Sequence, residues 1–391
     1  MANSLPKLSH YPRGYLTVAK NVGIKDETLD LALIFSEVRA NAAAVFTQSR
    51  FAGAPVILGR QHIADGYLQA LVINSKNANV ATGQRGLDIS REITQQVAAE
   101  LGINYRDVLP SSTGIIGRQL PVEKIRRGLQ GIRQELKPES LEEVAVAIMT
   151  TDRRPKYIAR EVDGVVINGI AKGAGMIEPN MATMLAYLLT DARIPSPVLQ
   201  GMLKRAVDRS FNMISIDTDT STSDTVVLLA NGLAREVDPD RFQAALDEVC
   251  LYLAQAIARD GEGASKLIEV TVSGARDFAQ ARRVAKAVVN SPLVKTAVYG
   301  CDPNWGRVCM AVGKCHEEKE IRPERTTIAF GPGVVFREGT PQECDLEELR
   351  RYLASEKVCI TVDLGIGSGE ATVWGCDLTE GYIQENAYYS T

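Results

Sequence analysis

The chain of 391 residues reads as a mixed α/β (α+β) protein of two domains. Three observations predict this. Short β-like runs alternate with amphipathic helical stretches along most of the sequence. The composition, 45% apolar and 24% charged, is that of an ordinary folded protein. The length holds two or three units at ~150 residues each.

Taken in order, LQALVINS (68–75) and EVDGVVING (161–169) read as strands that end at Asn or Gly turns. AKGAGMIEPNMATMLAYLLTDA (171–192) opens Gly-rich with one Lys and closes, from Thr183 through Leu189, as a buried strand or helix. DTVVLLANG (224–232) is another apolar run, closed by the turn dipeptide Asn231-Gly232. The clearest helix lies in 238–261, with Asp238 as N-cap, Pro239 at the first helical position and Gly261 as the stop. Phe242, Leu246, Val249, Leu253 and Ile257 give it one apolar face. KLIEVTVSG (266–274) then reads as a strand and FAQARRVAKAVVNSP (278–292) as a helix. The change of element places a domain boundary near Ser273-Gly274, dividing the chain into 1–274 and 275–391.

Charge and motif content exclude several classes. With 44 Lys+Arg against 48 Asp+Glu the net charge is −4, and no basic run suggests a nucleic-acid groove. No apolar stretch reaches the ~18 residues needed to span a bilayer. The polar, Pro-containing start MANSLPKLSHYPRGY is unlike a signal peptide, so a mature chain beginning near Met1 and a cytoplasmic location are expected. The seven cysteines are expected to be reduced, buried and inert; there is no CxxC, and Cys301, Cys309 and Cys315 are not spaced as a zinc site. The three histidines, His10, His62 and His316, form no nucleophile-elbow or HExxH context. A P-loop is absent, and Glu178 stands where a GxGxxG motif at Gly173 and Gly175 needs its third glycine.

Two hydroxyl-bearing stretches remain. Thr183 stands where a Gly-rich loop becomes an apolar element, as a helix cap or as a nucleophile held by rigid surroundings. A threonine nucleophile needs a base, and histidines are scarce. One solution is its own α-amine, freed by cutting the preceding peptide bond. An α-amine titrates at about 7.7–8.0, near the working pH of a general base. SSTGIIGRQLP (111–121) offers Ser111, Ser112 and Thr113 beside two glycines. A Thr-Gly turn there can present a hydroxyl and a backbone N–H together, the donor pair of an oxyanion hole, although such clusters are usually plain turns. Glu262, in the polar turn Gly261-Glu262-Gly263, reads from sequence alone as a solvated side chain.

KGAGMIEPNMATML, STGIIG, AIMTTD, SFNMISIDTDTSTSD, ARDGEGASKL, DPNWGRV and the C-terminal DLGIGSGEATVWGCDLTEGYIQENAYYST occur in order along the chain. Together they resemble the glutamate N-acetyltransferase family, also called ornithine acetyltransferase, of arginine biosynthesis. The resemblance runs from AAVFTQSRFAGAPV (43–56) to Thr391. It implies self-cleavage between Ala182 and Thr183, leaving chains of 182 and 209 residues. Thr183 then carries the acetyl group from N-acetylornithine to glutamate in ping-pong transfer. Thr113 (hydroxyl) and Gly114 (N–H) become the oxyanion hole. Thr150, Lys172, Thr183, Glu262, Asn386 and Thr391 become the substrate contacts, with Thr150 and its neighbour Thr151 not distinguished.

The resemblance further implies an αββα-type layered catalytic domain, a smaller C-terminal α/β domain whose tail completes the active site, and an α2β2 heterotetramer of the cleaved chains. It implies no metal and no organic cofactor, acetyl-CoA entering only as a co-substrate in bifunctional members. Tyr382, Tyr388 and Tyr389 are expected to anchor the tail. Two positions depart from the family pattern, Lys76 and Thr218, each where Gly is usual; local changes of turn are expected there, since Gly often supplies a positive φ that Lys or Thr adopts reluctantly. The rival enzyme reading is a self-cleaving N-terminal-nucleophile aminopeptidase or amidohydrolase. A non-catalytic metabolite-binding protein is the rival from another class.

Overall fold

Tyr15–Lys20 (β1) pairs antiparallel with Leu31–Phe46 (β2), a strand of 16 residues that organises the first unit. The computed structural model describes residues 5–178 and 184–388. This first unit comprises 1–212 and 220–257. The strands that follow are Tyr67–Asn74 (β3), Val108–Ser112 (β4), Lys156–Val162 (β5), Val165–Lys172 (β6), Leu185–Thr190 (β7) and Thr225–Ala230 (β8). They order as β4-β3-β2-β8-β7-β6-β5, with β1 also on β2. β3–β4 and β7–β8 are parallel, and the other pairs are antiparallel.

The sheet folds over on itself. In β2 the register breaks between Phe35 and Ala40, where 37–39 are exposed. Laid flat, β4 and β6 would stand five spacings apart, roughly 24 Å. Yet Lys172, the last residue of β6, reaches Thr113 just after β4 at 3.5 Å. The inner faces share one core that includes Ile34, Leu71, Ile73 and Leu109 from one half and Ile170, Tyr187, Val227 and Leu229 from the other. Outside the first half, Leu33 and Val72 pack on the helices Gly83–Leu101 and Val122–Leu129 through Ile89, Ile93, Ile125 and Leu129. Outside the second, a side chain at Gly169 would meet Val249 and Leu253 of the helix Pro239–Arg259 within 3 Å. The result is helix, sheet, sheet, helix, the layering expected of the catalytic domain.

That helix starts as its sequence predicts. Asp238 Oδ1 accepts the N–H of Asp240 and of Arg241, and Phe242, Leu246, Val249, Leu253 and Ile257 are fully buried. Two local readings change. The run 161–169 is a hairpin rather than one strand. Asp163 (φ 52°) and Gly164 (φ 77°) make the turn between β5 and β6, since an Asp-Gly pair takes the two positive φ values of a tight hairpin turn. The apolar end of 171–192 is the strand β7, not a helix, so no helix follows Thr183 for it to cap.

The second unit comprises 213–219 and 258–391. Its strands are Leu267–Ala275 (β9), Thr327–Phe330 (β10), Gly333–Arg337 (β11), Thr340–Pro341 (β12), Lys357–Asp363 (β13) and Gly369–Cys376 (β14), ordered β12-β11-β10-β13-β9-β14. Only β9–β13 is parallel. The helix Phe278–Val289, capped by Asp277, packs on β9 and β14. The boundary therefore falls at 257/258 rather than at 274. KLIEVTVSG is a central strand of the second sheet, paired on both edges, and cannot be parted from it.

Cys250 and Cys376 are buried, but the other five cysteines are only partly so, and all seven are unbridged. Expected inertness by burial thus holds for two. Among the described residues no helix is long and apolar enough to cross a membrane, and no cluster of three His, Cys, Asp or Glu could hold a metal ion. Lys76 (φ 77°) and Thr218 (φ 68°) nevertheless take the left-handed backbone that such residues adopt reluctantly.

Candidate active site

Strand β4 ends at Ser112, and the chain turns sharply through Thr113 and Gly114. Asn77 bridges to Thr113 and to Ile115. The Thr113 N–H donates to the Asn74 carbonyl at 3.0 Å and the Ile115 N–H to the Lys76 carbonyl at 3.1 Å, passing over the N–H of Gly114. Gly114 has φ 128°, and a Cβ there would lie 2.2 Å from the Lys76 carbonyl carbon and 2.4 Å from its oxygen. Only glycine lets these backbones meet, for both steric and conformational reasons. The turn presents a hydroxyl and a main-chain donor that no described residue claims, side by side, as an oxyanion hole requires.

Lys172 closes the other side. It is the last residue of β6 and 7% exposed. Its Nζ donates to Thr150 Oγ1 at 2.7 Å and approaches Thr113 Oγ1 at 3.5 Å. Thr150, rather than Thr151, is thus the threonine that meets Lys172.

Beneath this pair lies Asp152, a residue that sequence reasoning missed. Its Oδ1 accepts from Lys156 Nζ (2.7 Å) and from the Gly173 N–H (2.6 Å), and its Oδ2 accepts from the Thr150 N–H (3.1 Å). Lys172 Nζ stands 3.9 Å from Oδ2. Burial alone would favour the protonated acid, but the charges of Lys156 and Lys172 outweigh it and hold Asp152 well below the usual carboxylate range. One carboxylate thereby fixes the Thr150 backbone, the Gly173 backbone and the Lys172 charge. Lys25 adds a further support, donating to the carbonyls of Leu29 (2.9 Å) and Met149 (2.7 Å), just ahead of Thr150. Its burial lowers its pKa to about 8, partly opposed by Asp30. The buried amines Lys156 and Lys172 both stand beside the Asp152 carboxylate.

Within the second unit, Glu262 is 7% exposed, so it is not the solvated turn residue its sequence suggests. Its Oε2 accepts from Asn386 Nδ2 at 2.7 Å. The C-terminal tail forms the helix Glu380–Ala387, capped by Thr379, whose hydroxyl also donates to the Gly263 carbonyl at 2.6 Å. Gly263 (φ 69°) leaves no room for a side chain, since a Cβ would lie 2.2 Å from the Tyr382 nitrogen. Tyr382 anchors the helix through its hydroxyl, 3.3 Å from Asp217 Oδ2. Tyr388 is 72% exposed. Ala182, Thr183, Tyr389 and Thr391 lie outside the described residues.

No histidine joins these groups. His10 is exposed beside Glu161, His62 is buried against the Val108 carbonyl, and His316 is exposed. Residues 17–391 match the profile of the ArgJ family. The chain belongs to the ArgJ family.

Among ArgJ relatives, the arginine biosynthesis bifunctional protein ArgJ 2 of Nostoc sp. strain PCC 7120 is 53% identical over 98% of this chain and 99% of its own length. The glutamate N-acetyltransferase Oat2 of Streptomyces clavuligerus is 49% identical over the whole of both chains. The crystal structure of the arginine biosynthesis bifunctional protein from Bacillus halodurans, 45% identical, superposes with a TM-score of 0.51 over 53% of this chain and all of that one. Within the ArgJ frame, the segment AIMTTD carries both Thr150 and Asp152. Asp152 and its partner Lys156 stand at i and i+4, a spacing that reads as a helix-surface pair and hides a buried hub at a strand entrance.

Proposed function

We propose that this chain is an acetyltransferase of arginine biosynthesis that moves the acetyl group from N2-acetyl-L-ornithine to L-glutamate. The observation that carries the reading is the contact of Lys172 with Thr150 and Thr113 beside the Gly114 turn. A buried cation and an oxyanion donor pair share one small volume. An N-acetylated amino acid presents the matching groups, an α-carboxylate and an acyl oxygen, a few ångströms apart.

The nucleophile in this reading is Thr183. Its hydroxyl attacks the Ala182 carbonyl, the acyl group shifts from nitrogen to oxygen, and water hydrolyses the ester. The freed α-amine then serves as base. Thr183 Oγ takes the acetyl group, while the Thr113 hydroxyl and Gly114 N–H stabilise the oxyanion and Lys172 pairs with the substrate carboxylate. Ornithine leaves, and glutamate collects the acetyl group. Each half-reaction returns the proton it borrows, so no metal or organic cofactor enters the scheme. Glu262 and Asn386, like Thr391, are assigned as further substrate contacts.

The assembly proposed is an α2β2 heterotetramer in the cytoplasm. The names of the Nostoc and other relatives as bifunctional support acetyl-CoA as a second acetyl donor.

The test is incubation of purified protein with N-acetylornithine, with and without glutamate. Ornithine release that requires glutamate, with N-acetylglutamate formed in equal amount, is the expected result. Release that ignores glutamate would instead identify a hydrolase. A denaturing gel with N-terminal sequencing, reading Thr-Met-Leu-Ala-Tyr, tests the cut.

A further inference from the structure

The base assigned above exists only after the chain is cut. While the 182–183 bond is intact, the Thr183 nitrogen is an amide and accepts no proton. The cut therefore requires a different proton carrier, and none of the three histidines belongs to the cluster.

Asp224 has the required properties. It is 2% exposed, and its Oδ2 has no hydrogen-bond partner among the described residues, whereas buried polar atoms are nearly always satisfied. The parallel register gives its place. Leu185 faces Thr225, and the Thr225 N–H donates to the Met184 carbonyl at 3.0 Å. Asp224 thus heads β8 as Met184 heads β7, and Met184 is the residue that follows Thr183 in the chain. The backbone is pinned there, because the Asp224 carbonyl accepts from the Thr47 N–H at 3.0 Å. The Thr47 hydroxyl donates to the Ser221 carbonyl at 2.7 Å.

Burial raises the carboxyl pKa well above its ordinary value, opposed by a hydrogen bond from Ser221 and by the charge of Lys172. Burial thus favours the protonated form of the acid. An acid that is dry and lacks a partner on one oxygen is placed to carry a proton.

We propose that Asp224 is the proton carrier for self-cleavage. This rests on the self-processing reading of the same site. As Thr183 Oγ bonds to the Ala182 carbonyl carbon and the C–N bond breaks, the Asp224 acid gives its proton to the departing nitrogen. The hydroxyl proton passes to the carboxylate so formed, and the acid is restored. Water then hydrolyses the ester, leaving a carboxyl on Ala182 and a free amine on Thr183. Once that amine exists, acetyl transfer no longer needs Asp224.

The experiment follows the full-length chain splitting with time on a denaturing gel, after rapid purification in the cold. D224N matches the neutral acid in size and keeps a donor and an acceptor, but cannot exchange a proton. It should fold with an unchanged circular dichroism spectrum and split at least 30-fold more slowly than wild type. D224E, which keeps the acid, should split faster than D224Q, which has the same length. If D224N fails to fold, that second pair carries the test alone. The D224N fraction that does split should transfer acetyl groups at the wild-type rate per cut chain. Splitting of D224N at the wild-type rate, or equal rates for D224E and D224Q, overturns the proposal. Wild-type protein that never splits would overturn the self-processing reading instead, and this arm is read first.

Discussion

Lys172 Nζ and Thr150 Oγ1 stand 2.7 Å apart, a buried ammonium donating to the hydroxyl of a residue whose backbone N–H is held by Asp152. The bond orients the ammonium, which also stands 3.9 Å from Asp152 Oδ2. A charge-assisted bond to a substrate carboxylate contributes about 1.5–3 kcal/mol. K172A should therefore bind N-acetylornithine on the order of 10–150-fold more weakly while still being cut into two chains. Calorimetric titration checks the first outcome and a denaturing gel the second. Wild-type affinity in K172A would refute the carboxylate role. T150V removes only the neutral partner, and should raise KM by a few-fold.

Asp152 carries the load below that pair. D152N removes the carboxylate that pairs with buried Lys156, and breaking such a buried pair costs roughly 3–5 kcal/mol. The pH dependence has a defined sign. The unfolded carboxyl titrates near 3.9, and the folded one well below it, so the stability it contributes is whole above that range and is lost as pH falls toward the folded value. The gap in urea-unfolding free energy between wild type and D152N should be constant from pH 7 to 5 and narrow below about pH 4. A gap that does not change on acidification would mean that Asp152 is not ionised in the fold.

Gly114 is locked by its contact with the Lys76 carbonyl. G114A must displace one backbone or the other and so re-aim the N–H. Loss of one oxyanion donor costs ~10²–10³ in kcat. T113V should cost a comparable factor through loss of the hydroxyl, with KM nearly unchanged. Steady-state rates with saturating N-acetylornithine and glutamate decide this. A T113V enzyme with full kcat would remove Thr113 from the oxyanion hole.

Thr183 has two duties in the proposed scheme, so one substitution tests both. T183A should run as a single band of about 42.5 kDa and show no acetyl transfer. A T183A protein that still splits at the same bond would assign the cut to another group. Activity from an uncut T183A chain would dismiss the threonyl ester.

Lys76 holds a left-handed backbone with φ 77° that costs a non-glycine residue ~1–2 kcal/mol. K76G relieves that strain but loosens the unfolded chain, which offsets part of the gain. The urea midpoint of K76G should rise modestly, and a clear fall would show that the lysine side chain stabilises the fold.

The sequence by itself determined the class of fold, the helix Pro239–Arg259, the Thr113-Gly114 turn and the family, because these depend on local patterns. Asp238 caps its own helix, Gly114 adopts its own φ, and motif order survives any folding. What depended on neighbours was not legible. A Ser or Asp in a strand gives no sign of which sheet edge it will meet, and the fold-over of β2 alone brings Lys172 of β6 to Thr113 beyond β4. The burial of Glu262, the Asp152 hub and the orphaned oxygen of Asp224 arise the same way. Each is a charge or polar group whose meaning comes from residues distant in sequence, since desolvation and pairing act through space rather than along the chain. The tertiary structure therefore decided which hydroxyls and charges stand together, and that the 161–169 run turns back at Asp163-Gly164 instead of continuing as one strand.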